Sequence, residues 1–222
     1  MPQISQNWAI VSSLEGRDLL NYQRIRDAVL KRDPYPYMVI EGVIEQQALN
    51  SVLSDFPAID HPGSIPVAET TPGPAFQRLL DELNGADFRK ALEHKFGIDL
   101  SDRPIMTTLR GVMRKKDGRI HTDSRTKIIT VLVYFNEDWQ HEAGYLRILR
   151  NGTDLDDYVE EVPPKLGTMV VFQVTDNCWH GHKPVVGKRL SIQMNYLTGE
   201  AARGKHQFFH GISAKLKKWF GR

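Results

Sequence analysis

Cysteine is almost absent from this chain: Cys178 is the only one among 222 residues. An intramolecular disulfide framework is therefore excluded, and a reducing compartment is the natural setting. Cys178 itself reads as a small buried packing residue rather than a nucleophile. Long apolar runs are missing too, since no stretch approaches the roughly 20 apolar residues that span a membrane. The first 14 residues lack the basic start and apolar run of a secretory signal, so the chain reads as cytoplasmic. Net charge is small, formally +2, and composition by itself implies no nucleic-acid partner. There is no internal repeat and no low-complexity segment. What remains is ordinary for a soluble globular protein, 41% hydrophobic and 25% charged, with a length that fits one domain.

Charge is nevertheless uneven. From Arg203 onward come Lys205, Lys215, Lys217, Lys218 and Arg222, with no acidic residue. From Ile212 these cations interleave with Leu216, Trp219 and Phe220, as in helices that lie on a membrane surface. A weak membrane-surface contact through 212–222 is one reading. A solvated helix docked by one apolar stripe is the other.

The chain divides by pattern into a mainly helical support (1–103), a strand-rich core (104–198) and the basic tail (199–222). Apolar spacing predicts helices over Asp18–Leu30, Ile44–Phe56 and Phe76–Phe96, with a lead-in strand at Tyr37–Ile40. Asp33-Pro34-Tyr35-Pro36 ends the first helix. Five prolines and two glycines between Pro57 and Pro74 predict a loop. After Pro104, short β-branched and aromatic runs alternate with turn signals. Strands are predicted at Met106–Met113, Ile120–Thr122, Lys127–Phe135, Tyr145–Leu149, Tyr158–Val162, Thr168–Val174, His182–Val186 and Leu190–Leu197. Such spacing, with helices confined to the N-terminal part, predicts a β-rich α+β fold: an antiparallel sandwich or barrel buttressed by helices.

Two stretches carry chemistry. In Ile120-His121-Thr122-Asp123 the histidine and the carboxylate stand at i and i+2 of a strand, where side chains share a face. Well downstream, Cys178-Trp179-His180-Gly181-His182 offers a second histidine, and Arg189 opens an apolar strand nine residues after His180. Two histidines and one carboxylate, with coordination positions left open, are the set used by non-haem iron(II) oxygenases. A guanidinium can anchor a carboxylate through a bidentate fork, although a structural ion pair is the plainer reading of Arg189 taken alone. His182 competes with His180 for the ligand position; the interval to Arg189 and the preceding Trp179 favour His180. His94, His141, His206 and His210 lack any partner pattern and read as surface residues.

Taken together, His121-x-Asp123, the distant His180 and Arg189 resemble the 2-oxoglutarate/iron(II) oxygenase superfamily, above all its prolyl-hydroxylase-like branch. Val133-Tyr134-Phe135-Asn136-Glu137-Asp138-Trp139 is similar to that branch's tyrosine-bearing strand and turn. Ala143-Gly144-Tyr145-Leu146-Arg147-Ile148 resembles its Gly-Gly-x-Leu-Arg strand, with alanine in place of the first glycine. Pro163 to Phe172 resembles the turn and strand before the second histidine. The likeness spans about 104–198, and 35–57 looks like the lead-in strand and helix of bacterial relatives.

The resemblance implies a double-stranded β-helix, the jelly-roll or cupin-like fold. It implies iron(II) held by His121, Asp123 and His180 as the catalytic centre, and 2-oxoglutarate held by Arg189. Tyr134 would bond the same carboxylate, and Leu146 would line the pocket. Ser191 and Gln193 share a strand face with Arg189; Gln193 stands where relatives carry threonine, a departure from the pattern. O₂ and 2-oxoglutarate would be converted to succinate and CO₂ as a substrate is hydroxylated. Asp123, in place of a small residue, argues against halogenation.

Two other readings stand beside this one: a non-enzymatic metal-binding cupin-like domain, and a peripheral membrane or anionic-ligand module acting through the tail. The substrate stays open among small molecules, sugars, lipid-linked molecules and protein side chains such as proline. Specificity is expected in 57–74, 114–119 and 153–159. The cations Arg114, Lys115, Lys116, Arg119, Arg125 and Lys127 around His121 would attract an anionic substrate, or are simply solvated.

Overall fold

The computed structural model describes residues 16–201; residues 202–222, with the membrane reading of 212–222 and with His206 and His210, lie outside them. Helix α1 (Tyr22–Asp27) is shorter than its periodicity predicts. Asn21 caps it by accepting from the Arg24 N–H at 2.9 Å. Leu19 and Leu20 run extended, their N–H groups donating to the Glu82 carboxylate, and Leu20 bridges Ile44. Apolar spacing alone does not separate a helix from a buried extended segment. For the same reason Ile44–Phe56 contracts to α2 (Leu49–Ser54).

The predicted 76–96 helix is two: α3 (Pro74–Leu83) and α4 (Ala86–Phe96). Asn84 donates its side-chain amide to the Leu80 carbonyl at 2.8 Å, and Gly85, extended at φ −74° and ψ 162°, starts the next helix. The proline-rich loop holds a short strand, β2 (Ile65–Pro66), and a single 3₁₀ turn at Val67–Glu69.

The remaining strands are β1 (Tyr37–Ile40), β3 (Ile105–Met113), β4 (Lys127–Tyr134), β5 (Leu146–Leu149), β6 (Tyr158–Val162), β7 (Met169–Gln173), β8 (His180–Gly181) and β9 (Gly187–Leu197). Two predictions shift. Ile120–Thr122 reduces to a single bridge between His121 and His180. His182–Val186 is not a strand, because Pro184 has no N–H to give a ladder; the paired segment is His180–Gly181, two residues earlier.

These strands form two antiparallel sheets, one in the order β1-β7-β4-β9-β3-β2 and a smaller one in the order β6-β5-β8. The larger sheet explains its own alternation. Ile129, Val131 and Val133 of β4, with Leu190, Ile192, Met194 and Tyr196 of β9, pack into the helical core. Phe56, Phe76 and Phe135 join strands to helices there, with ring centroids 4.8–5.4 Å apart. Thr130, Leu132 and Tyr134 point the other way, towards the smaller sheet, as do Arg189, Ser191 and Gln193. Register aligns them in rows: Tyr134 opposite Ser191 opposite Arg110, and Thr130 opposite Asn195. Tyr35, Tyr37, Ile148, Val170, Phe172 and Cys178 fill the rest of the inter-sheet space. The result is a double-stranded β-helix with helices on one outer face and the candidate site between its sheets.

Candidate active site

The bridge between His121 and His180 brings two distant histidines side by side. Each backbone N–H donates to the other's carbonyl at 3.0 Å, and the ring centroids stand 4.3 Å apart. One ligand atom each from His121, Asp123 and His180 lies within 4.8 Å of the others. The histidine tautomers follow from their partners. Nδ1 of His121 faces the Arg119 carbonyl at 2.9 Å, and Nδ1 of His180 faces the Cys178 carbonyl at 2.8 Å. A carbonyl only accepts, so each Nδ1 carries a proton, and Nε2 is the nitrogen a neutral imidazole would offer to a metal. Burial, and then the neighbouring His121, hold the His180 pKa down at about 4, so it is a neutral imidazole at neutral pH.

Asp123 is buried and still ionised. Burial pushes its carboxyl up, but the Lys127 ammonium, His180 and hydrogen bonds from Lys127 and Thr130 together hold it below its ordinary value. Lys127 donates to Oδ1 at 2.8 Å, and the Thr130 hydroxyl donates to Oδ2. That hydroxyl has one proton. The Asn195 amide atom facing it at 3.0 Å must therefore be the NH₂ end, which also gives the buried Asn195 Nδ2 a partner it would otherwise lack. Asn195, Thr130 and Asp123 form a relay that fixes the carboxylate's orientation. Thr130→Val is expected to weaken Mn(II) or Fe(II) binding by about 10–100-fold, the usual loss for an outer-shell partner, with little change in thermal melting. Calorimetry on the two proteins checks it; equal affinity would show that the relay does not orient Asp123.

The triad opens onto a cavity of about 100 Å³ walled by Arg189, Tyr134, Leu146, Ser191 and Gln193, with His121, His180 and His182 also on its surface. That is well below the roughly 300–1,000 Å³ of sites for drug-sized ligands and suits a small acid. Arg189 is buried, donates Nε to the Gly144 carbonyl at 3.1 Å and lies 4.9 Å from the Tyr134 ring centroid. Beyond Gly144, the polar group beside its guanidinium is the Tyr134 hydroxyl. Among the described residues the buried Tyr134 hydroxyl has no partner within hydrogen-bond distance; burial pushes its pKa up, against the pull of the adjacent Arg189 guanidinium. A buried guanidinium and an unpartnered buried hydroxyl converging at one end of a small cavity suit a carboxylate. His121, His180, Arg189, Tyr134, Leu146, Ser191 and Gln193 thus share this cavity, and Asp123 lines an adjoining one of about 230 Å³.

A scan against family models places this geometry. Residues 111–197 match the model of the 2OG-Fe(II) oxygenase superfamily. The segment that carries the site belongs to that superfamily. That superfamily's co-reactants are iron(II), 2-oxoglutarate and O₂. A Pseudomonas putida prolyl-4-hydroxylase is similar in fold, with a TM-score of 0.52 and 18% identity over 72% of this chain and 85% of that one. A Phytophthora capsici prolyl 4-hydroxylase gives 0.55 and 16% over 82% and 67%. A Burkholderia pseudomallei oxidoreductase of the 2OG-Fe(II) oxygenase family gives 0.51 and 12% over 72% and 84%. No curated protein sequence matches the chain.

Other parts of this oxygenase differ from expectation. Of the cations around His121, Arg114 is paired with Asp117, Arg125 with Asp176 and Lys127 with Asp123, so half of that cluster is already neutralised. His94 and His141 are exposed. His182 is buried on the cavity wall outside the triad; burial and then Arg189 hold its pKa down at about 4. Sequence reading missed Arg110, Thr130 and Asn195. Their signal was strand alternation: polar residues at 108, 110, 130, 191, 193 and 195 face one way on strands otherwise apolar. A larger groove of about 800 Å³ lies between Phe56–Asp60 and Phe135–His141, and no triad residue lines it. Among the described residues, no helix is long and apolar enough to cross a membrane.

Proposed function

We propose that this oxygenase hydroxylates a small molecule, a sugar or a protein side chain, with His121, Asp123 and His180 as its iron ligands and Arg189 as the anchor of 2-oxoglutarate. The observation that carries the reading is a two-histidine, one-carboxylate set beside a small cavity that holds the buried Arg189 guanidinium and the unpartnered Tyr134 hydroxyl. The residues fit the missing groups chemically. Both Nε2 atoms are free as ligands, the carboxylate is ionised, and an orphaned buried hydroxyl stands beside a buried guanidinium where an anion would satisfy both.

In the balanced reaction, 2-oxoglutarate, O₂ and a C–H bond give succinate, CO₂ and a C–OH group. Bound iron supplies the one-electron chemistry that O₂ requires. The protein's share is placement. Arg189, with the Tyr134 hydroxyl, holds the distal carboxylate of the co-substrate. Leu132 and Leu146 exclude water and so strengthen that ion pair. Ser191 and Gln193 offer further hydrogen bonds along the cavity wall, and the Asn195–Thr130 relay keeps Asp123 turned to the metal. Two fold relatives are prolyl 4-hydroxylases, which supports a protein proline as one candidate among several.

An untargeted mass-spectrometric screen of metabolite and peptide extracts, supplied with Fe(II) and 2-oxoglutarate in air, tests the reading. Succinate release matched by a gain of one oxygen in an extract component is the expected result. Unchanged 2-oxoglutarate throughout, from protein that binds iron, would sink it.

A further inference from the structure

Among the described residues Arg110 has no ion-pair partner of its own. It stands on β3 in the row of Ser191 and Tyr134, so it faces the site. It lines both the cavity of Arg189 and the adjoining cavity of about 230 Å³ whose wall includes His121 and Asp123. Among the described residues no hydrogen bond or ion pair reaches its guanidinium. The near carboxylate, Asp117, is already taken: Arg114 grips it with Nε at 3.3 Å and Nη2 at 3.1 Å and adds its backbone N–H at 2.8 Å. Lys127, the other cation of the adjoining cavity, is spent on Asp123 at 2.8 Å. Burial, and the like charges of Arg189 and Arg114, weigh against the cationic form of Arg110, with only Asp117 favouring it. A half-buried guanidinium under those pressures is costly unless an anion arrives to meet it.

Counting carboxylates says which anion. This step rests on the proposed function: one carboxylate of 2-oxoglutarate goes to Arg189 and its 2-oxo acid end goes to the metal, so neither is left for Arg110. We propose that Arg110 binds an anionic group, a carboxylate or a phosphate, on the primary substrate, and that the adjoining cavity beside His121 and Asp123 is where that substrate enters. Arg110 selects an acid over its neutral analogue. The earlier expectation of an anionic substrate then rests on one inward-facing arginine rather than on the flanking surface cations.

The test uses the Mn(II)·2-oxoglutarate complex of the full chain without O₂, with inorganic phosphate as the probe. Complex formation, followed by calorimetry, comes first; if the wild type does not form it, the oxygenase reading fails and this proposal falls with it. Given the complex, ³¹P line broadening by Mn(II) reports phosphate held near the metal. Wild type is expected to broaden the phosphate line. Arg110→Gln is expected to bind phosphate about tenfold more weakly or worse, as when a charged hydrogen bond is lost, and Arg110→Lys to fall between. Affinity for 2-oxoglutarate should be unchanged in both variants. A parallel fall in 2-oxoglutarate affinity would make Arg110 a co-substrate residue and overturn the proposal. So would equal broadening in wild type and Arg110→Gln, or none in wild type.

Discussion

Asp123→Ala and His180→Ala are each expected to abolish tight iron(II) binding, while His182→Ala retains it. The two histidines stand two residues apart and both line the cavity, so the contrast is sharp. Only His180 lies opposite His121 in the reciprocal bridge, and only its ligand atom joins those of His121 and Asp123 within 4.8 Å. His182 is held elsewhere: its N–H donates to the Gly118 carbonyl at 2.8 Å, and its Nδ1 faces the Lys183 carbonyl at 2.9 Å. Loss of an outer-shell partner costs about 10–100-fold in metal affinity, and loss of a ligand should exceed that. Asp123→Ala also leaves the largely buried Lys127 ammonium uncompensated, so Asp123→Asn, which keeps the shape, separates metal loss from misfolding. Metal content of the purified proteins, with calorimetry, decides. Retention by His180→Ala together with loss in His182→Ala would reverse the ligand assignment.

Arg189→Met should leave the metal in place and remove most of the affinity for 2-oxoglutarate. The guanidinium is buried beside Leu146 and over the Tyr134 ring, where little water is at hand to replace it. Breaking such a pair costs about 3–5 kcal/mol, a loss of hundreds-fold or more. Tyr134→Phe removes one neutral donor and should cost about 0.5–1.5 kcal/mol; part is offset because a buried hydroxyl without a partner is also removed. Titration of the Mn(II)-loaded proteins with 2-oxoglutarate, without O₂, gives both numbers. Equal affinity in wild type and Arg189→Met would make the arginine structural, with the Gly144 carbonyl at 3.1 Å its real partner.

Lys127 and Arg110 show how the same residue type acquires different meanings. Both are cations on strands beside the site. Lys127 donates to the Asp123 carboxylate, whereas the carboxylate near Arg110, Asp117, is held by Arg114, and among the described residues no other pairs with Arg110. Their difference lies in which neighbours are already engaged, and no local pattern in the chain records that.

The sequence by itself determined the chemistry and the faces. His121 and Asp123 at i and i+2, His180 and Arg189 on later strands, and the polar alternation of 189, 191 and 193 follow from a two-residue strand period that any stretch of chain displays. The β1 and β6 boundaries were legible for the same reason. Helix lengths were not. Leu19 and Leu20 gave up helical hydrogen bonds for the Glu82 carboxylate 62 and 63 residues away, and the 76–96 helix broke at a local Asn84-Gly85 cap that apolar spacing passes over. The interval to Arg189 and the preceding Trp179 already favoured His180 over His182; the tertiary structure adds that His180 is the one whose backbone lies across from His121. It also revealed the Asn195–Thr130–Asp123 relay and, among the described residues, the lack of a partner for Arg110. Those are facts about partners distant in sequence, and a hydrogen bond is set by distance and direction in space, which one strand's pattern does not contain.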